Sequence, residues 1–288
     1  MRMAFGVALA RRADDGGKTM TAEAMLASDF ATLADLIRAH AAERGAKPAL
    51  IFGDRVMTYA QLDRMMDGIA FSLQRDGVEQ GDAVAVLGSS SLDYALVFLG
   101  ALRAGGVAAP LAPSATPEQL AAMVADCGAP ILFHDAAHDV NVPVRKVALE
   151  HLDDWLGDGT PAPVTVGPDD PFNIIYSSGT TGTPKGIVQP HAMRWVHIGR
   201  APAGFGDAVT MVATPLYSNT TLVSVLPTLG WGGTVVLMAK FDAREYLVQA
   251  ERHRGSITML VPVQYQRIMA DPEFDRFDLS SFKLKTCT

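Results

Sequence analysis

Tyr176-Ser-Ser-Gly-Thr-Thr-Gly-Thr-Pro-Lys-Gly186 decides how this chain is read, because hydroxyls and glycines run together ahead of a lysine. Small residues let backbone N–H groups approach an anion closely, the serine and threonine hydroxyls add donors, and Lys185 supplies a formal charge. The apolar run before it, Phe172-Asn-Ile-Ile-Tyr176, reads as a buried strand, so the loop leaves the edge of a sheet. Together these features describe a cradle for a nucleoside triphosphate.

Better known phosphate loops do not fit. A Walker A loop needs two glycines five positions apart and then Lys-Ser/Thr, whereas Gly179 and Gly182 are closer, Pro184 precedes Lys185 and Gly186 follows it. The dinucleotide fingerprint fails at Gly204-Phe-Gly206, which runs on to Val209 where a third glycine belongs. Gly88-Ser-Ser-Ser continues into Leu92, so the Gly-x-Ser-x-Gly elbow of hydrolases is absent as well.

Composition narrows the class. At 288 residues, with 49% hydrophobic and 19% charged, the chain can bury a full core. A formal charge of −7 without any Lys/Arg run argues against a nucleic-acid partner. Cys127 and Cys287 form no metal or disulfide pattern and read as reduced core thiols of a cytoplasmic protein. His134 and His138 have the spacing of a helical zinc pair but lack the glutamate base, and they read as loop; no residue is assigned to a metal. The longest apolar stretch, 92–113, is broken by Asp93, Arg103, Gly105, Gly106 and Pro110, so no membrane span is expected. Met3 to Ala10 imitates a signal peptide but is too short, and residues 1–28 read as a disordered leader.

From about residue 32 onward helix and strand patterns alternate, the mark of an α/β fold with largely parallel sheets. Thr32 caps a helix that puts Leu33, Leu36, Ile37 and Ala41 on one face. The capping box Thr58-Tyr-Ala-Gln61 opens a second, and Thr116-Pro-Glu-Gln119 opens a helix that Gly128 closes. Strands are expected over 83–87, 107–111, 130–133 and 172–176, a helix with Ala95, Leu96, Leu99 and Leu102 inward, and a loop or linker over the whole segment between the last two strands, with 157–163 inside it. Beyond the phosphate loop, strands over 209–213, 234–238, 256–261 and 283–288 alternate with helices over 220–229, 243–253 and 263–270. Two interleaved α/β units result, 29–190 with the phosphate loop and 191–288.

The 176–186 segment resembles, almost letter for letter, the signature of the adenylate-forming superfamily: an aromatic residue, Ser/Thr-Ser-Gly-Thr/Ser-Thr-Gly, a variable residue, then Pro-Lys-Gly. Thr58-Tyr59 with Leu62, Gly81-Asp82, the stretch from Gly105 to Pro110, and Pro215-Leu-Tyr-Ser-Asn219 are similar too, closest to the acyl-CoA synthetase branch. The resemblance covers 32–288 and implies an incomplete large domain. The family's adenine-binding turn, magnesium-binding glutamate, ribose aspartate and small C-terminal domain with its lysine have no counterpart in these residues. It implies attack of a carboxylate on the α-phosphate of MgATP, release of pyrophosphate, and displacement of AMP by the thiol of CoA. Ser177, Ser178, Gly179, Thr180, Thr181, Gly182, Thr183 and Lys185 would hold the phosphates, with Lys185 and Thr181 as the catalytic pair and Mg2+ carried by the phosphates. The carboxylic acid would lie against Tyr217, Ser218, Asn219, Thr220 and Gln264, where Ser218 replaces the family's usual histidine. His191 would open a helix as a cap or a substrate contact. Two other readings remain: a non-catalytic nucleotide-binding module, and an adenylation domain loading a carrier-protein thiol. The strand over 283–288 would expose an edge that favours association, a homodimer included.

Overall fold

In the computed structural model, which describes residues 20–177, 185–201 and 204–287, helix starts follow the local caps. After α1 (Ala22–Leu26) and α2 (Leu33–Arg44) comes a hairpin, β1 (Pro48–Phe52) and β2 (Arg55–Thr58), then α3 (Tyr59–Arg75), β3 (Ala83–Leu87), α4 (Leu92–Arg103), β4 (Val107–Leu111) and α5 (Pro117–Cys127). Next are β5 (Ile131–His134), β6 (Arg145–Ala148), α6 (Leu152–Trp155), β7 (Pro171–Ser177), β8 (Lys185–Pro190) and α7 (His191–Gly199). The last stretch holds β9 (Val209–Val212), α8 (Asn219–Gly230), β10 (Thr234–Leu237), α9 (Ala243–Arg252), β11 (Ile257–Leu260), α10 (Pro262–Met269) and β12 (Leu284–Cys287). Thr32 accepts from Asp35 N, and Thr58 and Thr116 form reciprocal boxes with Gln61 and Gln119. Gly128 takes the left-handed conformation that ends α5, φ 63°.

Two six-stranded sheets result, ordered β6-β5-β3-β4-β7-β8 and β12-β11-β9-β10-β1-β2. Every pairing is parallel except the hairpins β7–β8 and β1–β2. Helices α2, α3, α4 and α8 share one core with Val84, Val86 and Phe133 of the first sheet and Leu50, Val235 and Leu237 of the second. The two sheets therefore sandwich a common helical layer. Helix α4 is largely apolar because it lies inside that layer, and all its residues except Asp93 are buried, Arg103 paired with Asp63 and Asp67 of α3. The outer faces are covered by α5 on one side and by α9 and α10 on the other.

Several expectations need amendment. The interval between β5 and β7 is not all loop: β6 extends the sheet, and Leu149, Leu152 and Trp155 pack into the core. The hairpin β1–β2 joins the sheet of the second unit, so the division at residue 190 is crossed by strands from the start of the chain. Thr21 caps α1 within the expected leader, whose residues 1–19 lie outside the described ones. Cys127 is half-buried, but Cys287 is exposed because β12 is an outer strand. His134, expected in a loop, is the last residue of β5, and only His138 lies on the turn after it; each has Nδ1 within hydrogen-bond distance of Asp135.

Candidate active site

Strands β7 and β8 form the stem of the phosphate-type loop. Ser177 pairs with Lys185 and Tyr176 with Gly186, so the antiparallel hairpin closes on residues 178–184. Ser178, Gly179, Thr180, Thr181, Gly182 and Thr183 lie outside the described residues, as does the Ser177 side chain. Lys185 falls on the first position of β8, exposed, without an ion pair to any described residue.

The stem is fastened to its neighbours on both sides. The Tyr176 hydroxyl lies 2.9 Å from both Met123 O and Asp126 Oδ2 of α5, and burial pushes its pKa up, with the Cys127 thiol adding to the effect. A Cβ at position 186 would stand 2.9 Å from Ile174 Cγ2 and 3.0 Å from Asp126 Oδ2, which is why glycine follows the lysine. At the far end His191 opens α7, its N–H donating to Asp170 O at 2.9 Å and its ring edge-on to Phe172 at 4.9 Å. Burial lowers the His191 pKa to about 4 against the pull of Asp170, so the ring is neutral at physiological pH.

The segment expected to meet the acid leaves the end of β9. Leu216 N donates to Ser90 Oγ at 3.1 Å, which joins it to the loop between β3 and α4 of the other sheet. Thr221 Oγ1, in the first turn of α8, lies 2.7 Å from both Thr214 Oγ1 and Pro215 O and fixes the turn. Tyr217, Ser218, Asn219 and Thr220 are half-buried there. Tyr217 lies close enough to Tyr94 of α4 to add to the rise that burial causes in the Tyr94 pKa. The Tyr94 hydroxyl and Asn219 Oδ1 are both buried without a hydrogen-bond partner among the described residues. Such orphaned atoms are costly and suit a polar ligand group. Beside Tyr94, an apolar gap of about 20 Å³ reaches Phe98, Leu216 and Leu222. Gln264 sits further along: its Nε2 donates to Ala213 O at 3.0 Å and its Oε1 accepts from Val261 N at 3.1 Å, tying α10 to the end of β9.

The Ser90–Leu216 bond thus links loops that leave the C-terminal ends of parallel strands in two different sheets. Crevices of that kind are where open α/β sheets bind ligands. Sequence reasoning missed Tyr94 and Ser90; only Ser90 had a local signal, the serine run directly after a strand.

A family model described as "AMP-binding enzyme" matches residues 37–288. This chain belongs to the AMP-binding enzyme family. Among its relatives are a feruloyl-CoA synthase from an Amycolatopsis species, 34% identical over 249 residues, covering 83% of this chain and 50% of the relative. An indoleacetate–CoA ligase from Aromatoleum aromaticum is 31% identical over 276 residues, covering 88% and 54%. The chain therefore spans about half the length of the curated relatives it matches. The fold is shared with the anthranilate CoA ligase AuaEII solved with anthranoyl-AMP, TM-score 0.81 at 22% identity, over 93% of this chain and 55% of that one. It is shared too with the N-terminal domain of FACL13 from Mycobacterium tuberculosis, TM-score 0.79 at 24% identity, over 90% and 70%. The AMP-binding family is the one that residues 176–186 resemble, and the N-terminal part is what these residues form.

Proposed function

We propose that the gene product carrying this chain activates a carboxylic acid with MgATP and passes the acyl group to CoA. Two observations support the reading: the loop sequence of an AMP-binding enzyme joins β7 to β8, and the 214–220 segment is bonded to Ser90 after β3 of the other sheet. A carboxylate oxygen attacks the α-phosphorus, the new O–P bond forms as pyrophosphate leaves, and the CoA thiolate then displaces AMP from the acyl carbon. Ser177, Ser178, Gly179, Thr180, Thr181, Gly182, Thr183 and Lys185 hold and neutralise the departing phosphates, with Lys185 and Thr181 acting in the step itself. That contribution is positioning and electrostatics. Mg2+ enters with the phosphates.

Tyr217, Ser218, Asn219 and Thr220 face the acid, and Gln264 fixes the wall behind them. An aryl or aryl-alkyl acid is the substrate class, supported by the names of the feruloyl and indoleacetate relatives and by orphaned polar atoms of Tyr94 and Asn219 beside the segment. The test is acid-dependent ATP–pyrophosphate exchange in the full gene product over aromatic, short-chain and long-chain acids. Exchange with aromatic acids supports the reading. Exchange with aliphatic acids alone overturns the substrate class, and none with any acid overturns the activity.

A further inference from the structure

Arg194 is buried to 1% exposure and, among the described residues, meets no carboxylate. Its Nε and Nη2 donate to Asn173 Oδ1 at 3.0 and 2.9 Å, and Nη2 also donates to Gln189 Oε1. The Phe172 ring lies 5.8 Å from its Cζ. Burial lowers the guanidinium to about 10, so it remains a cation at neutral pH.

Asn173 and Gln189 are register partners, one on each strand of the hairpin that closes on residues 178–184. Asn173 also pairs with Ala108 of β4 in the sheet interior. The clamp is poor as a stabilising device, because Arg194 Nη1 and Asn173 Nδ2 are left buried without partners among the described residues. A buried cation without a counter-charge carries an uncompensated desolvation cost, so stability alone is a weak reason for an arginine here. What the planar fork supplies that an apolar side chain cannot is a fixed direction to acceptors on two strands at once. Four residues of extended chain, roughly 13 Å, separate Asn173 from Ser177.

We propose that Arg194 is a positioning residue for the phosphate loop: it ties β7 to β8 at the base of the hairpin and so sets the approach of Ser177 to Lys185 at its mouth. The kinetic part of this inference rests on the function proposed above; the structural part does not.

The test uses Arg194→Met, Arg194→Lys, Gln189→Leu and Gln189→Glu in the full gene product, read by amide hydrogen exchange and by Michaelis constants for MgATP and for the acid. In Arg194→Met, amides of β7 and β8 exchange about tenfold faster while β9 to β11 stay within about twofold. The KM for MgATP rises about tenfold and that for the acid holds, because the loosened group meets only the nucleotide. Lysine, with no fork, recovers part of both effects. If Arg194→Met does not fold, position 189 decides. Leucine there speeds exchange in β8, and glutamate, giving the cation a counter-charge, slows it. Unchanged exchange in β7 and β8, an equal rise in both sheets, or a loosened hairpin with both KM values unmoved would overturn the proposal. Wild-type protein lacking pyrophosphate exchange would sink the function alone and leave the amide data to decide Arg194.

Discussion

Lys185 and His191 mark the two ends of β8, and each carries a prediction of its own. Lys185 is exposed at the start of the strand, so Lys185→Ala should leave the thermal midpoint unchanged while slowing single-turnover adenylation roughly 10- to 1000-fold, the scale of losing one charged transition-state partner. A rate within twofold of wild type would remove Lys185 from the mechanism. For His191 the sign follows from its depressed pKa of about 4. Above pH 6.5 the ring is neutral in both folded and unfolded chains, and it contributes no pH dependence. Between pH 6.5 and 4 only the unfolded chain takes up the proton, so stability falls with pH by at most about 3 kcal/mol. His191→Gln should therefore flatten the loss of urea midpoint over that window, though not abolish it, since burial also lowers His40, His197 and His253. At this scale the loop motif was legible because its chemistry is contiguous. Tyr94 and Arg194 were not: Tyr94 acquires its meaning from Tyr217, far along the chain, and Arg194 from Asn173 and Gln189, which meet only when β7 pairs with β8.

Elements were legible where their signals are local. The capping boxes at Thr58 and Thr116 sit where their spacing puts them, and Thr58→Ala should cost about 1 kcal/mol in equilibrium unfolding. The hairpin β1–β2 carried a turn signal, Gly53-Asp54 between two apolar-rich runs, with Gly53 at φ 58°; reading those two residues would have found it. Strand β6 had no such mark: it is four residues long, begins Arg145-Lys146, and is set only by its pairing with β5. Helix packing was the least readable. A Cβ on Gly100 would stand 2.4 Å from Ile69 Cγ2, so α3 and α4 touch at a residue without a side chain. Elsewhere in a helix Gly→Ala is worth up to about 1 kcal/mol of stability. Gly100→Ala should reverse that sign and destabilise by about 1 to 3 kcal/mol, as overpacking does; a raised melting temperature would show that the two helices can part.

The whole molecule is not two units side by side. Tyr59, at the start of α3, lies within hydrogen-bond distance of Leu229 O and Gly233 O of the second unit, and β1 lies between β10 and β2 in the second sheet. Residues 191–287 expressed alone should therefore expose β10 as an apolar edge and elute as aggregate in size-exclusion chromatography, while co-expression with residues 20–190 restores a soluble complex. A soluble, cooperatively melting 191–287 segment would contradict that. The interleaving was expressed in the sequence only as alternation of helix and strand, since a strand carries no record of which sheet receives it. There is also a consequence in time. Leu50 pairs with Val235, about 185 residues later. At a synthesis rate of about 5–20 residues per second, the ribosome releases β1 roughly 10 to 40 s before its partner exists. Throughout that interval β1 has only β2 as a strand partner and its other edge stands open, so the nascent chain carries an apolar edge that the finished protein has erased.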